Sequence, residues 1–227
     1  MKRIFYLLSI ILFISCGNSA NSPEFMEQVE GRYLFNSIET LEVYFEEDAL
    51  KVKWRGQDMT PIKANDSSFY LKEMNEKLVF ISKPEMHIEL APKREHEGKK
   101  FHFSKLSKNE KTPMEHFKDK EYDKALKGYL AIQKRDSLDS SVEWREINRT
   151  AHRYFDSGKK EEAFELFKIN IELYPNLPRS YRNYGYALIE SNDTIKAIEN
   201  YRKALAINPN DNRALSFFER IEKKDND

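Results

Sequence analysis

Between residues 26 and 106 the apolar positions recur at every second residue. Leu41, Val43 and Phe45 alternate with Glu42, Tyr44 and Glu46; beyond an acidic turn at Glu47-Asp48, Leu50, Val52 and Trp54 alternate with Lys51, Lys53 and Arg55. Successive side chains of a strand point to opposite faces, so this alternation predicts a β-hairpin with one apolar face. Its cationic trio stands across from Glu42 and Glu46 in the simple register, as a cross-strand charge ladder. Shorter runs at 59–62, 69–71, 78–81, 87–90 and 101–103, with Gly31-Arg32-Tyr33-Leu34-Phe35 as an opening strand, bring the total to about eight antiparallel strands. Strands this short close best as a small barrel or a strongly curved meander. Phe35, Phe45, Trp54, Phe69, Phe80 and Phe103 are its candidate interior. They either fill a core or line an apolar ligand pocket, and about eighty residues supply little more than one core, which favours filling.

From Pro113 onward the period becomes helical, and the chain repeats itself. Ala163, Phe167 and Pro175 recur 34 residues later as Ala197, Tyr201 and Pro209, and Ala151 recurs as Gly185. The small residues fit where two antiparallel helices cross closely, Phe167 and Tyr201 fill the space beside the crossing, and each proline ends the second helix. This pattern resembles the tetratricopeptide repeat, which predicts full repeats at 144–177 and 178–211. Ala125-Leu126-Lys127-Gly128-Tyr129 resembles the second helix of an earlier, distorted repeat, 38 residues before Ala163. Residues 212–223 read as a capping helix with Ala214, Leu215, Phe218 and Ile221 inward. Residues 107–112 carry little apolar surface, so the two halves are expected to unfold separately.

The first residues have another character. Lys2 and Arg3 precede an apolar run at 4–14, then Ser15-Cys16-Gly17, the layout of a secretory signal and too short to span a bilayer. Ile14-Ser15-Cys16 resembles the lipobox of bacterial lipoproteins, which implies cleavage of residues 1–15 and acylation of Cys16 with palmitate-like chains; an ordinary cleaved signal is the alternative. Residues 16–25 then serve as a tether. The resemblance implies a bacterial cell envelope location, lipid-anchored at the outer membrane or the periplasmic face.

Composition narrows the chemistry. Lys plus Arg number 38 against 38 Asp plus Glu, so the 227-residue chain has no net charge to draw nucleic acid, and its single Cys excludes an internal disulfide or a cysteine cluster. Ser157-Gly158-Lys159-Lys160 has Ser-x-x-Lys spacing but falls in a turn between repeat helices. His87, His96 and His102 lack His-x-His or His-Glu-x-x-His spacing and read as scattered, solvated residues. The expectation is therefore no catalytic residue, no metal and no cofactor. The β segment, through Gly31-Arg32-Tyr33, Leu41-Glu42-Val43-Tyr44 and Phe101-His102-Phe103, resembles the accessory domain of β-lactamase-like serine hydrolases without their catalytic domain.

The fold class is thus α+β multidomain, a small β barrel or meander followed by an all-α solenoid. In the repeat family the ligand groove is built mainly from the first helix of each pair, which here offers Arg145, Asn148, His152, Arg179, Arg182 and Tyr186, with Arg213 added by the cap. Four arginines among seven positions suit an acidic or C-terminal protein segment, unless nearby acids neutralise them. The leading reading is a non-enzymatic, membrane-anchored adaptor for a protein or peptide partner. The alternatives are an accessory partner of a separately encoded serine hydrolase, or a carrier of a small apolar ligand.

Overall fold

The structure is a computed structural model that describes residues 21–225. The signal segment 1–15 and Cys16 lie outside the described residues. A helix α1 (Pro23–Val29) leads into nine strands: β1 (Gly31–Leu34), β2 (Thr40–Glu46), β3 (Ala49–Trp54), β4 (Gln57–Met59), β5 (Ile62–Asn65), β6 (Ser68–Leu71), β7 (Glu76–Ile81), β8 (His87–Leu90) and β9 (His102–Lys105). They form one sheet in the order β4-β3-β2-β1-β9-β8-β7-β6-β5. Every neighbouring pair is antiparallel. Following the directions along both arms, the two edge strands β4 and β5 run the same way, and only Thr60 and Pro61 separate them in the chain. Three peptide units reach at most about 11 Å, so the opposite edges of the sheet must meet. β4 and β5 are in effect one strand bent at Pro61, whose first half pairs with β3 and whose second half pairs with β6. The sheet thus curls into a barrel-like form whose last seam is covalent.

The β2–β3 hairpin has the expected register: Val43 lies opposite Val52, Glu42 opposite Lys53 and Tyr44 opposite Lys51. Lys51 reaches Glu46 at 3.1 Å, while Arg55 turns to Glu39 at 3.0 Å rather than joining the ladder. Inside, the aromatics pack on one another. Phe35 stacks on Phe103 with ring centroids 4.8 Å apart, and Trp54 meets Phe103 edge-on at 5.4 Å. A second group joins Phe69 to Phe80 at 5.7 Å. These side chains fill the interior, against the reading of an apolar ligand pocket.

Residues 23–25, expected in the tether, are instead the first turn of α1. Ser22 Oγ accepts from the Phe25 amide at 3.2 Å, and Pro23, which has no amide to orphan, opens the helix. Phe25 stacks on Phe69 at 5.7 Å and Val29 is fully buried, so α1 closes one end of the β core. The Tyr33 hydroxyl locks this plug by donating to the Val29 carbonyl at 2.7 Å.

The second half is helical: α2 (Pro113–Lys118), α3 (Tyr122–Arg135), α4 (Trp144–Asp156), α5 (Lys160–Leu173), α6 (Pro178–Ile189), α7 (Thr194–Ile207) and α8 (Asn212–Asp225). The pairs α4–α5 and α6–α7 occupy the two repeat periods, and α2–α3 forms the distorted one. Each pair turns through one residue in the left-handed region: Lys120 (φ 60°), Gly158 (φ 82°) and Asn192 (φ 63°). Gly158 and Asn192 are 34 positions apart, so even the turn repeats. Ala151, Ala163, Phe167 and Ala197 are fully buried, and a Cβ on Gly185 would lie 2.9 Å from Tyr201 Cε2. On α8 the inward stripe is Ala214, Phe217, Phe218 and Ile221. Phe217 stacks on Tyr201 at 3.8 Å, whereas Leu215, expected inward, is 39% exposed. The i, i+3, i+4, i+7 row that starts at Ala214 includes 217 and excludes 215.

The two halves are not joined by the linker alone. Arg32 on β1 makes a two-pronged contact with Glu115 on α2, at 2.7 and 2.9 Å. Glu115 is also the reciprocal partner in the Thr112 capping box of that helix. Burial by itself would raise the Glu115 pKa, but Arg32 and the Thr112 amide and hydroxyl outweigh it and hold the carboxyl below its usual range. Arg135 at the end of α3 donates to Phe35 O and Ser104 Oγ, each at 3.2 Å, and Leu34 packs on the helical core. Separate unfolding of the halves is therefore not what this interface predicts.

Candidate functional site

The repeat helices α4 and α6 and the cap α8 present neighbouring faces, tied to one another by side chains. Asn183 on α6 donates to Asn148 Oδ1 on α4 at 2.8 Å. Arg145 and Arg179 place their guanidinium carbons 5.6 and 5.7 Å from the Trp144 ring, so both cations are drawn onto one indole at the α4 end. Arg182 is mostly buried and forms an ion pair with Asp211, which is itself 7% exposed. Asp211 does two jobs there: one oxygen holds Arg182, and the other accepts from the Arg213 and Ala214 amides at 3.1 and 3.2 Å, capping α8. Asp211 thus neutralises Arg182, while Glu146 is taken up by Arg149 on its own helix. His152 turns aside and meets the Phe167 ring edge-on at 5.1 Å, where burial lowers its pKa.

What is open lies one helix further on. A cleft of about 580 Å³ runs between α6 and α8, lined by Tyr186, Arg213, Ser216, Glu219, Arg220 and Lys223 with Tyr201 at its floor. Tyr186 is 52% exposed there. Of the seven groove positions, Arg182, Tyr186 and Arg213 reach this cleft, Arg145 and Arg179 share Trp144, and Asn148 and His152 are spent on helix contacts. Arg220 and Lys223 escaped sequence reasoning, which took only Arg213 from α8, although they stand about two and three turns beyond it on the same helix.

In the α6–α7 pair, Pro178 opens the first helix, Gly185 admits Tyr201 at the crossing, and residues 178–211 match the family described as tetratricopeptide repeat. The preceding pair α4–α5, with helices of 13 and 14 residues against 12 and 14, has the same left-handed turn without being part of that match. Among solved structures, the first TPR of Spaghetti (RPAP3) bound to the HSP90 peptide SRMEEVD is 20% identical with a TM-score of 0.34, covering 51% of this chain and 88% of that one. MamA MSR-1 C2 is 18% identical with a TM-score of 0.29, covering 43% of this chain and 53% of that one. An arginine-to-glutamate mutant of MamA is 19% identical with a TM-score of 0.33, covering 50% and 83%. No curated protein matches the chain in sequence.

Elsewhere the structure corrects the reading of the histidines. They are not scattered and solvated. His96 is 7% exposed with Nε2 3.1 Å from Glu76. His87 and His102 stack with centroids 4.4 Å apart on adjacent strands. Burial, then His87 and Arg135, lower the His102 pKa, with Glu89 opposing. Ser157 donates to the Tyr154 carbonyl at 2.8 Å and the Lys160 ammonium lies over the Phe155 ring, so that Ser-x-x-Lys segment is a helix end.

Proposed function

We propose that the chain is a membrane-anchored, non-enzymatic adaptor of the bacterial cell envelope, held by a lipid on Cys16, whose α6–α8 cleft takes an acidic segment or C-terminus of a partner protein. The observation that carries this reading is the cleft itself, where Arg213, Arg220 and Lys223 outnumber Glu219 around an exposed Tyr186. A fork of guanidinium donors suits a carboxylate, and a tyrosine offers apolar contact at small entropic cost. The β domain, clamped to the helices through Arg32 and Arg135, acts as a rigid spacer between membrane and cleft. Attachment rests on the acylated Cys16; among the described residues no helix is long and apolar enough to cross a membrane.

Titration with a fluorescent, acid-rich peptide, once with a free C-terminal carboxylate and once amidated, tests the cleft. Binding should weaken as salt rises, because exposed charge attraction is screened over about 10 Å at 0.1 M. Arg213→Glu/Arg220→Glu should abolish it, since each charge-assisted contact contributes roughly 1.5–3 kcal/mol. Arg182 is left intact because it supports Asp211 and the α8 cap. Equal affinity of variant and parent would remove the cleft from consideration. In cells, Cys16→Ser should end fatty-acid labelling and shift the protein to the soluble fraction; labelling that persists would defeat the anchor.

A further inference from the structure

The β8–β9 pair places Glu89 directly opposite His102, and His87 opposite Ser104. Side chains alternate along a strand, so His87, Glu89, His102 and Ser104 share the outer face, while Ile88 and Phe103 are fully buried beneath it. One ligand atom from each of His87, Glu89 and His102 can be chosen so that all lie within 4.8 Å of one another. The His87 Nε2 to Glu89 Oε1 distance is 3.6 Å.

We propose that His87, Glu89 and His102 form a binding site for a divalent transition ion of the zinc class, open on one side. Two imidazole nitrogens and one carboxylate oxygen are the donor set of open, three-ligand zinc sites, in which a water or a ligand group completes the coordination. Tetrahedral bonds of 2.0–2.1 Å set donor atoms roughly 3.3 Å apart, so the His87–Glu89 pair is nearly at that spacing and the His102 ring closes the remaining gap by rotating about its terminal torsion. A second, independent observation fixes the chemistry of His87. Its Nδ1 lies 2.8 Å from the Glu85 carbonyl, which can only accept, so Nδ1 donates there, and the neutral ring that a metal requires has its lone pair on Nε2, 3.6 Å from Glu89 Oε1. This backbone tie is the outer partner that metal-ligating histidines use to hold ring and tautomer. The ring is also held by burial, with His87 8% exposed.

The open side leads to a cleft of about 560 Å³ bounded by Pro84, Met86, Ser104, Leu106 and Lys108. Arg135, which donates to Ser104 Oγ at 3.2 Å, brings positive charge near the site, so the ion held there depends on Glu89 for charge balance. Nitrogen donors disfavour magnesium and calcium, which seek oxygen cages.

The test is calorimetric titration of the full chain, made without a polyhistidine tag and stripped with chelator, with Zn²⁺ and separately with Mg²⁺. Co²⁺ absorption reports the donor geometry. The expected result is one Zn²⁺ per chain at micromolar affinity or better, and no heat with Mg²⁺. His102→Gln should weaken Zn²⁺ by at least the roughly 10–100-fold seen when only an outer partner is lost. Glu89→Gln should do the same while keeping the shape of the site, and circular dichroism checks that both variants fold. Zn²⁺ binding that is absent, or that persists unchanged in both folded variants, overturns the proposal. So does binding no tighter to the parent than to His116→Gln/His152→Gln plus His102→Gln combined. None of these outcomes depends on the α6–α8 cleft, so failure here leaves the adaptor reading untouched.

Discussion

Gly185 is the sharpest point at which to perturb the repeat, because two effects of opposite sign meet there. In a helix interior, glycine to alanine ordinarily stabilises by about 1 kcal/mol. At this site a Cβ would lie 2.9 Å from Tyr201 Cε2, 3.0 Å from Cδ2 and 3.4 Å from the Ala197 carbonyl. The tyrosine ring must retreat by about half an ångström to reach ordinary contact. It is backed by Phe217, stacked at 3.8 Å with an interplanar angle of 14°, so retreat opens the α7–α8 seam. Overpacking of this kind costs roughly 1–3 kcal/mol, which exceeds the propensity gain. Gly185→Ala should therefore destabilise by about 1 kcal/mol, and Gly185→Leu by about 3 kcal/mol or more. Ala206→Leu, on the exposed face of α7, should stay within about 0.5 kcal/mol. Asn192 is a poor control, since its φ of 63° strains most replacements. The assay is urea unfolding followed by far-ultraviolet circular dichroism. Gly185→Ala as stable as the parent, or more stable, would refute the close-crossing argument.

Removing Arg32 and Glu115 singly and together should give a coupling energy of about 1 kcal/mol, modest because both side chains are more than a third exposed, at 35% and 42%. The parent should unfold in one transition, and two separate transitions by tryptophan fluorescence and circular dichroism would show that this seam does not couple the halves. For His152, burial lowers the folded pKa below its ordinary 6.5, with Asp156 opposing, so the unfolded chain binds its proton first on acidification. The stability this histidine contributes is complete above pH 6.5 and is lost as pH falls through the folded pKa. His152→Gln should flatten that part of the stability profile, and an unchanged slope would contradict the assigned burial.

Local pattern was enough wherever one face of an element is buried. The alternation from Leu41 to Trp54 set the hairpin register, since a one-residue slip would turn Val43 and Val52 to water. The 34-residue recurrence of Ala163 and Phe167 as Ala197 and Tyr201 located both helix pairs, because a helix crossing admits only small residues at fixed intervals. The covalent closure through Thr60-Pro61, the plug formed by Phe25 and the clamp between Arg32 and Glu115 needed the tertiary structure, since each joins residues whose partners lie far along the chain. The groove shows the division most clearly. Periodicity put Arg145, Arg179, Arg182 and Arg213 along neighbouring helix faces, and only packing decided that two lean on Trp144, one is locked to Asp211, and the open charge belongs to α8. His87 and His102 have no telling spacing in sequence; strand pairing between β8 and β9 brings them together, because a sheet makes neighbours of residues that the chain keeps apart.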